Sequence, residues 1–444
     1  MSEQQLSGWG RTKFALSSVL SPHSENDVLD EFAAGSRVIA RGLGRSYGDA
    51  AQLSGGVVLD NRGFVGISEI DEHGVVSVGA GVSFDQLLTF SMPRGWFVPV
   101  TPGTRQVTMG GAVAADVHGK NHHVDGSFAS HVLSLRLVTP EGVFTVSPND
   151  HEDLFWATMG AMGLTGVVTS LMLRMIPITT NQVLVDTDRF ENLESVMTAM
   201  SEGDNDYRYS VAWVDCMTRG AHLGRAILTR GSHASEADVE KLSLKGPRHQ
   251  RLSVPMQAPS GLLNKWSVAA FNELWFRSAP RHEVAEAQKL STFFYPLDGI
   301  GDWNRLYGQR GFVQYQFCVP ESARSTIGEV IERLSDSRLT SFLGVLKRFG
   351  EANPAPLSFP LAGWTLALDM PVGSPLLPCV LDELDEMVQR AGGRVYLAKD
   401  ARLSGEHARA MYPRLDEFLT VKARIDPKNQ LISDLARRLD LLRK

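Results

Sequence analysis

"RGLGRSYGD" (residues 41–49) and "TPGTRQVTMGGAVAADVHG" (101–119) are the stretches on which the reading of the fold turns. The first follows "RVIA" (37–40), an apolar run that reads as a strand. A strand ending in a Gly-rich turn can aim several backbone N–H groups at one phosphate oxygen, and Gly lets the chain come close because it lacks a Cβ. The spacing G-x-G-x-x-x-G misses the dinucleotide fingerprint by one residue, and the following "DAAQLSGG" is a poor helix start. A nicotinamide-type Rossmann unit is therefore disfavoured. In the second stretch, Thr104 and Thr108 can add hydroxyl donors, and Gly110-Gly111 opens a run of small residues that permits contact with a flat or extended ligand. A third segment, "MGLTGVV" (162–168), again puts Gly before a strand. Three such turns so close together suggest one large phosphate-bearing cofactor wrapped by a domain.

Around these turns, "VVLD" (57–60), "VVSVGA" (75–80), "LSLRLVT" (133–139) and "GVVTSLMLRM" (166–175) read as strands. "SFDQLLTFSM" (83–92), with Ser83 as N-cap, and "EDLFWATMGA" (152–161) read as helices. Strands mixed with helices predict an α+β or α/β domain up to about residue 180. Beyond it the texture changes. Amphipathic helices over 322–336 and 378–393 alternate with strands "GFVQYQFCVP" (311–320) and "GWTLALDMPV" (363–372), which predicts a second α+β unit on an antiparallel sheet. The chain is expected to end in a charged helix, "LISDLARRLDLLRK". Residues 229–276 begin polar and end apolar, with Trp266, Phe271, Trp275 and Phe276. They read either as a long surface excursion with one packed end or as a mobile, lipid-facing lid, with Lys245, Arg248 and Arg251 near anionic headgroups.

The composition is that of a globular protein, with 43% hydrophobic and 21% charged residues, and 444 residues allow two or three domains. A net charge of −6 argues against a general nucleic-acid binder. Cys216, Cys318 and Cys379 are far apart and lack C-x-x-C spacing, so neither a disulfide framework nor a zinc site is expected. The N-terminus has no apolar h-region, so no secretory signal is expected, and no stretch is long and apolar enough to span a membrane.

"AADVHGKNHH" (114–123) gathers His118, Lys120, His122 and His123 beside small apolar residues. The options are a metal site, a cofactor attachment point, a catalytic cluster or a surface loop. Only Asp116 among carboxylates accompanies the imidazoles, so no metal is expected.

The order "RGLGRSYGD", "PGTRQVTMGGAVAADVHGKNHH", "GLTGVV" resembles the FAD-binding domain of vanillyl-alcohol-oxidase-type oxidoreductases. With "DLFWATMG", "PLDGIGDWNRLYG", "GFVQYQF", "PLSFPLAGW", "YLAKDARLS" and "AMYPRLDEF", nearly the whole chain is similar to the decaprenylphosphoryl-ribose oxidase family. The resemblance implies a two-domain α+β fold of the vanillyl-alcohol-oxidase (PCMH) type. Residues 1–180 would be the FAD-binding domain, completed by 394–444, and 181–393 an antiparallel-sheet substrate domain.

Together the loops and the resemblance assign to FAD a first-loop set of Arg41, Gly42, Leu43, Gly44, Arg45, Ser46, Tyr47 and Gly48. The second loop gives Gly103, Thr104, Thr108, Met109, Gly110, Gly111, Ala115, Asp116, Val117 and His118, and Val168 and Tyr396 complete the set. Relatives that bind flavin covalently carry histidine in the first loop where this chain has Arg45, so non-covalent FAD is expected. By the same resemblance Lys399 and His118 are catalytic, and Lys120, Phe294, Gln314, Gln316, Lys347, Phe349, Thr365 and Ala367 line the substrate site. His122 and His123 are expected to be structural or partly exposed. Thr365 and Ala367 replace the family's Asn-x-Cys, and Phe294 replaces a pocket tyrosine, which puts fine substrate preference in question.

The implied reaction is FAD-dependent oxidation of the C2′ hydroxyl of decaprenylphosphoryl-β-D-ribose to the 2-keto sugar. An NAD(P)H-dependent keto-sugar reductase would complete epimerisation to the arabinose form for cell-envelope arabinan, with the oxidase in peripheral contact with a membrane. The rival readings are a soluble sugar, alditol or aldonolactone oxidase and a flavin-binding scaffold without turnover.

Overall fold

The computed structural model describes residues 2–240, 242–247, 252–259, 264–337, 339, 341 and 343–442. Two four-stranded sheets and one eight-stranded sheet organise the described residues, with two short two-stranded sheets beside them. The first has the spatial order Ser2–Ser7, Phe14–Leu20, Val57–Asp60, Val38–Arg41, antiparallel at the first pair and parallel at the other two. The second is antiparallel: Val75–Gly79, Val167–Arg174, Val132–Thr139, Gly142–Val146. The same region holds helix Phe84–Ser91, opened by a Ser83 and Gln86 capping box, and the short small-residue helix Met109–Ala114, opened by Thr108 and packed on the second sheet. The strand and helix expectations for this region hold to within a few residues.

The large sheet has eight antiparallel strands in the order His282–Lys289, Gln182–Phe190, Ala226–His233, Tyr209–Val214, Gly344–Phe349, Gly363–Pro371, Phe312–Pro320, Arg394–Val395. Helices Ser325–Ser337 and Leu377–Arg390 cover one face, where Tyr315, Phe317, Leu346, Leu366 and Leu368 are buried. Strand alternation puts Gln314, Gln316, Lys347, Phe349, Thr365, Ala367 and Asp369 on the opposite face, because cross-strand partners in register share a side.

The last strand, Arg394–Val395, hands the chain back to the N-terminal region. Val38 pairs with Leu431, and its N–H donates to Gln430 O at 2.7 Å while its carbonyl accepts from Ile432 at 3.0 Å.

Two sequence expectations need correction. Residues 229–276 do not form one excursion: 229–233 belong to a strand paired on both sides, and Lys265–Ser278 is a helix. That helix has Asn264 as N-cap and seats Val268, Asn272 and Phe276, an i, i+4, i+8 stripe, against the sheet domain. Arg248 and Arg251 lie outside the described residues. The terminal helix is only Asp434–Arg438, with Ser433 as its N-cap; the chain before it pairs through backbone with Val38, and Arg438 pairs with Asp49.

Candidate active site

Lys399 sits in a turn directly after the edge strand Arg394–Val395. The N–H groups of Lys399 and Asp400 both donate to Tyr396 O, at 2.9 and 3.0 Å. Tyr396 is tied in turn to the second glycine stretch, its hydroxyl donating to Ala115 O at 2.7 Å, and it stacks on Phe359. The first loop reaches the same turn: Tyr47 N–H donates to Ala398 O at 2.9 Å. The ammonium of Lys399 lies 3.9 Å over the Tyr47 ring. Gly48 is required there, since a Cβ at that position would stand 2.0 Å from Asp400 O. The first glycine loop and the lysine turn are thus one packed unit.

The open face of the large sheet supplies the opposing wall. Gln314 pairs across the ladder with Asp369, and its amide donates to that carboxylate. Asp369 is fully buried, and desolvation raises its carboxyl to about 7. Burial also lowers Lys399 to about 7, a range in which both protonation states are populated at neutral pH.

His118 stands between the walls. Gln316 Nε2 is 2.9 Å from its Nε2, and Lys347 Nζ is 3.3 Å from its Nδ1. Phe349 and Tyr396 close around the ring at 4.8 and 5.5 Å. Burial, reinforced by Lys347, His122 and Lys399, holds His118 well below the usual imidazole range, so the ring is neutral. Lys120 is half-buried, donates to Phe293 O and lies 4.1 Å over the Phe293 ring; burial lowers it to about 7. Lys347, also half-buried, is lowered to about 8 by burial. Lys347 and Lys399 therefore act on one neutral imidazole, and Lys120 faces Lys347.

The glycine loops divide into spent and free donors. The N–H groups of Met109, Gly110 and Gly111 already donate to Val82 O, Ala80 O and Thr108 Oγ1. The N–H groups of Leu43, Gly44, Arg45 and Ser46 find no acceptor among the described residues, and Gly44 is left-handed at φ 64°. Consecutive free amides around a left-handed residue form a concavity suited to a phosphate oxygen.

Comparison with known proteins decides the family. An FAD binding domain family matches residues 17–147, and a D-arabinono-1,4-lactone oxidase family matches residues 379–439. The chain is 43% identical to decaprenylphosphoryl-beta-D-ribose oxidase of Mycolicibacterium smegmatis, over 99% of this chain and 98% of the relative. The chain belongs to that family. It is also similar to an uncharacterized Streptomyces coelicolor protein, at 38% identity over 81% of this chain and all of the relative. L-gulono-1,4-lactone dehydrogenase of Mycobacterium tuberculosis is 24% identical over 98% of both chains. The protein is an FAD-dependent oxidoreductase of the sugar and lactone oxidase group.

The residues present suit FAD: the free amides of 43–46 fit a pyrophosphate, and His118, Tyr396 and Lys399 converge beyond them. Other expected contact residues in this decaprenylphosphoryl-ribose oxidase relative also make contacts within the protein. Arg41 donates to Ala51 O and Ser7 O at 2.8 Å, and Gly42 packs on Thr108, where a Cβ would meet Oγ1 at 2.2 Å. Asp116, left-handed at φ 38°, accepts from Ser127, Ala129, Asn353 and Ser358. Thr104 donates to Asp298 at 2.6 Å, and the Val117 and Val168 carbonyls accept from Phe128 N–H and the Asn61 amide. Gly103 has open space where a Cβ would stand, and Arg45 lies 3.8 Å over Trp9.

Phe294 is 2% exposed and packs edge-on with Tyr209 and Phe293, within the core. Ala367 lies across the ladder from Gln316 and Val345. His122 accepts from Gly350 N–H at 3.1 Å, and His123 bonds the carbonyls of Asp204 and Tyr207. Sequence reasoning missed Asp369. It stands two residues beyond Ala367, so the alternation already used for Thr365 and Ala367 would have found it.

Proposed function

We propose that this chain oxidises the C2′ hydroxyl of a decaprenylphosphoryl-β-D-ribose to the 2-keto sugar, using FAD held without a covalent bond. The observation that carries the reading is the likeness to the M. smegmatis oxidase along the whole chain, joined to a site wall in which Lys347 and Lys399 act on a neutral imidazole. Bound flavin supplies the two-electron oxidant for a carbinol C–H. The protein's own residues do the rest. Lys120 offers positive charge to a phosphodiester. Lys399, whose ammonium burial disfavours and Asp369 favours, holds a proton at its Nζ beside that carboxyl. The aromatic closure by Phe349, Phe359 and Tyr396 excludes water from the His118 side.

Arg45 supports dissociable flavin, because a guanidinium does not form the histidyl bond of covalent relatives. Acid precipitation should leave the yellow colour in the supernatant, and a yellow pellet would refute this. Anaerobic mixing with a prenyl-phosphoryl riboside should bleach the flavin band, whereas free alditols and aldonolactones should not. Bleaching by the free polyols alone would favour the soluble-oxidase reading, and no bleaching by either would favour a scaffold.

The product is a ketone, so a keto-sugar reductase using NAD(P)H is the partner that would complete an epimerisation. Membrane contact fits helix Lys265–Ser278. Its outward face exposes Trp266 (73%), Leu274 (71%) and Trp275 (49%), with Lys265 and Arg277 at its ends. No helix of the described residues is long and apolar enough to cross a membrane. Co-sedimentation with anionic vesicles tests the contact: binding that survives Trp266→Ser with Trp275→Ser would dismiss this helix as the anchor.

A further inference from the structure

We propose that Thr365 is a positioning residue: it fixes which nitrogen of His118 carries the proton and so holds Lys347 as an uncharged amine that can take up the proton of the substrate hydroxyl. The inference rests on the oxidation proposed above and deepens it.

The argument follows one chain of hydrogen bonds. Thr365 is fully buried, and its hydroxyl donates to Phe317 O at 2.8 Å. That uses its only hydrogen, so toward Gln316 it can only accept. Gln316 must therefore present its NH2 group, with Nε2 at 3.2 Å from Thr365 Oγ1. The same nitrogen lies 2.9 Å from His118 Nε2, which must then offer its lone pair. A neutral imidazole has one N–H, and with Nε2 bare it sits on Nδ1. Nδ1 faces Lys347 Nζ at 3.3 Å. An N–H facing that amine is met there by a lone pair, which only the uncharged amine has, with the Gly119 backbone as the other acceptor near the ring.

The surroundings agree. Around Lys347 and His118 the facing titratable groups are His122 from helix His122–Asp125, Lys120 from the segment before it and Lys399 from the 396–400 turn. All are basic. Asp369, the carboxylate of this wall, faces Lys399 and Gln314. Burial lowers Lys347 to about 8.

Protonating Lys347 has a structural consequence. An ammonium would point N–H at N–H unless the imidazole proton moved to Nε2. Gln316 would then have to turn its oxygen toward Nε2 and away from a donor role to Thr365, setting two oxygens together in a buried sheet. Thr365 thus opposes protonation of Lys347 in the resting site. In turnover the substrate O–H bond would break and its proton join the Nζ lone pair, while FAD, when bound, would supply the two-electron oxidant that takes the carbinol C–H pair as hydride.

The test uses flavin-loaded protein carrying 15N-histidine, with the His118 signals identified by their loss in His118→Gln. The parent should show the Nδ1–H tautomer. Thr365→Val should shift His118 toward Nε2–H, and Thr365→Ser should keep the parent pattern. In anaerobic stopped-flow, Thr365→Val should reduce flavin about tenfold more slowly near pH 7 and converge with the parent at alkaline pH, a displacement of about one pH unit in the acid limb. An Nε2–H parent, or Thr365→Val with an unchanged tautomer and a uniform loss at every pH, would overturn the inference. Should Thr365→Val fail to fold, the parent tautomer and Thr365→Ala decide it. Failure of the parent to be reduced by the riboside would count against the proposed oxidation instead, since the tautomer is read without turnover.

Discussion

Arg438 offers the sharpest test of how this site is held together. Its guanidinium donates to both oxygens of Asp49, at 2.9 and 2.6 Å, to Asp400 Oδ2 at 2.8 Å and to Leu403 O at 2.6 Å. Asp49 closes the first glycine loop, and Asp400 is the neighbour of Lys399, with its other oxygen accepting from the N–H groups of Arg402 and Leu403. The two carboxylates are 3% and 2% exposed as side chains, and Arg438 is 16% exposed. Changing Arg438 to Ala leaves two buried carboxylates with only Lys13, 3.8 Å from Asp49, and the two N–H groups on Asp400. Breaking a buried pair by removing one partner costs roughly 3–5 kcal/mol, and the partial exposure of Arg438 argues for the lower end, about 3 kcal/mol. With an unfolding entropy of about 2 cal/mol/K per residue, that lowers the melting temperature of a chain this size by about 3 °C. The flavin loop and the lysine turn should loosen together, so FAD affinity should fall about tenfold or more. Arg438→Lys should be intermediate, because one ammonium cannot span two carboxylates and a carbonyl in a fixed fork. Melting followed by flavin fluorescence and by circular dichroism, with FAD titration of the apoprotein, measures both effects. An Arg438→Ala protein that melts within about 1 °C of the parent and binds FAD equally well would show that the tail does not anchor the site.

Lys399→Met should keep its yellow colour yet lose flavin reduction by about 10²-fold or more, the range of a positioned acid–base group; anaerobic absorbance at parental rates would remove Lys399 from the chemistry. Stability should depend on pH in two opposite windows. Lys120 and Lys399 are lowered to about 7 and Lys347 to about 8 from 10.5, so the unfolded chain holds more protons above neutrality, and stability should rise with pH from about 7 toward 10. Asp369 is raised to about 7 from 3.8, so the folded chain holds the extra proton and stability should fall as pH climbs from about 4 to 7. Urea unfolding across pH reads both: Lys120→Met should flatten the upper limb and Asp369→Asn the lower. Gly48→Ala, whose Cβ would sit 2.0 Å from Asp400 O, should yield little folded, flavin-bearing protein, whereas Gly103→Ala, which meets open space, should fold normally; equal recovery of flavoprotein from both would refute the packing of loop on turn.

Which features the sequence discloses depends on whether they are local or paired. Alternation along "GFVQYQF" was enough to put Gln314 and Gln316 on one face, because period two needs only the strand itself. It could not say what they touch. Gln316 meets Thr365 and His118, and Gln314 meets Asp369, only because Phe312–Pro320 pairs with Gly363–Pro371 in one register. Helix Lys265–Ser278 escaped notice because its seated stripe is just Val268, Asn272 and Phe276. The polar member is held by Asp215 at 2.7 Å, so the helix docks through a hydrogen bond that no apolar periodicity announces. The return of the tail to the first sheet was legible through resemblance alone, for the same reason: Val38 with Gln430 and Ile432, Ser54 with Asp434, and Asp49 with Arg438 are backbone bonds and ion pairs. Hydrophobic pattern therefore builds the three sheets, while the site arises where segments some 200 to 390 positions apart meet through specific polar contacts, as His118 does with Gln316 and Asp49 with Arg438. Such contacts are worth little singly at a surface but several kcal/mol once buried. Substitutions at these polar joints should accordingly disturb flavin and proton chemistry before they disturb the fold, and core apolar substitutions should do the reverse.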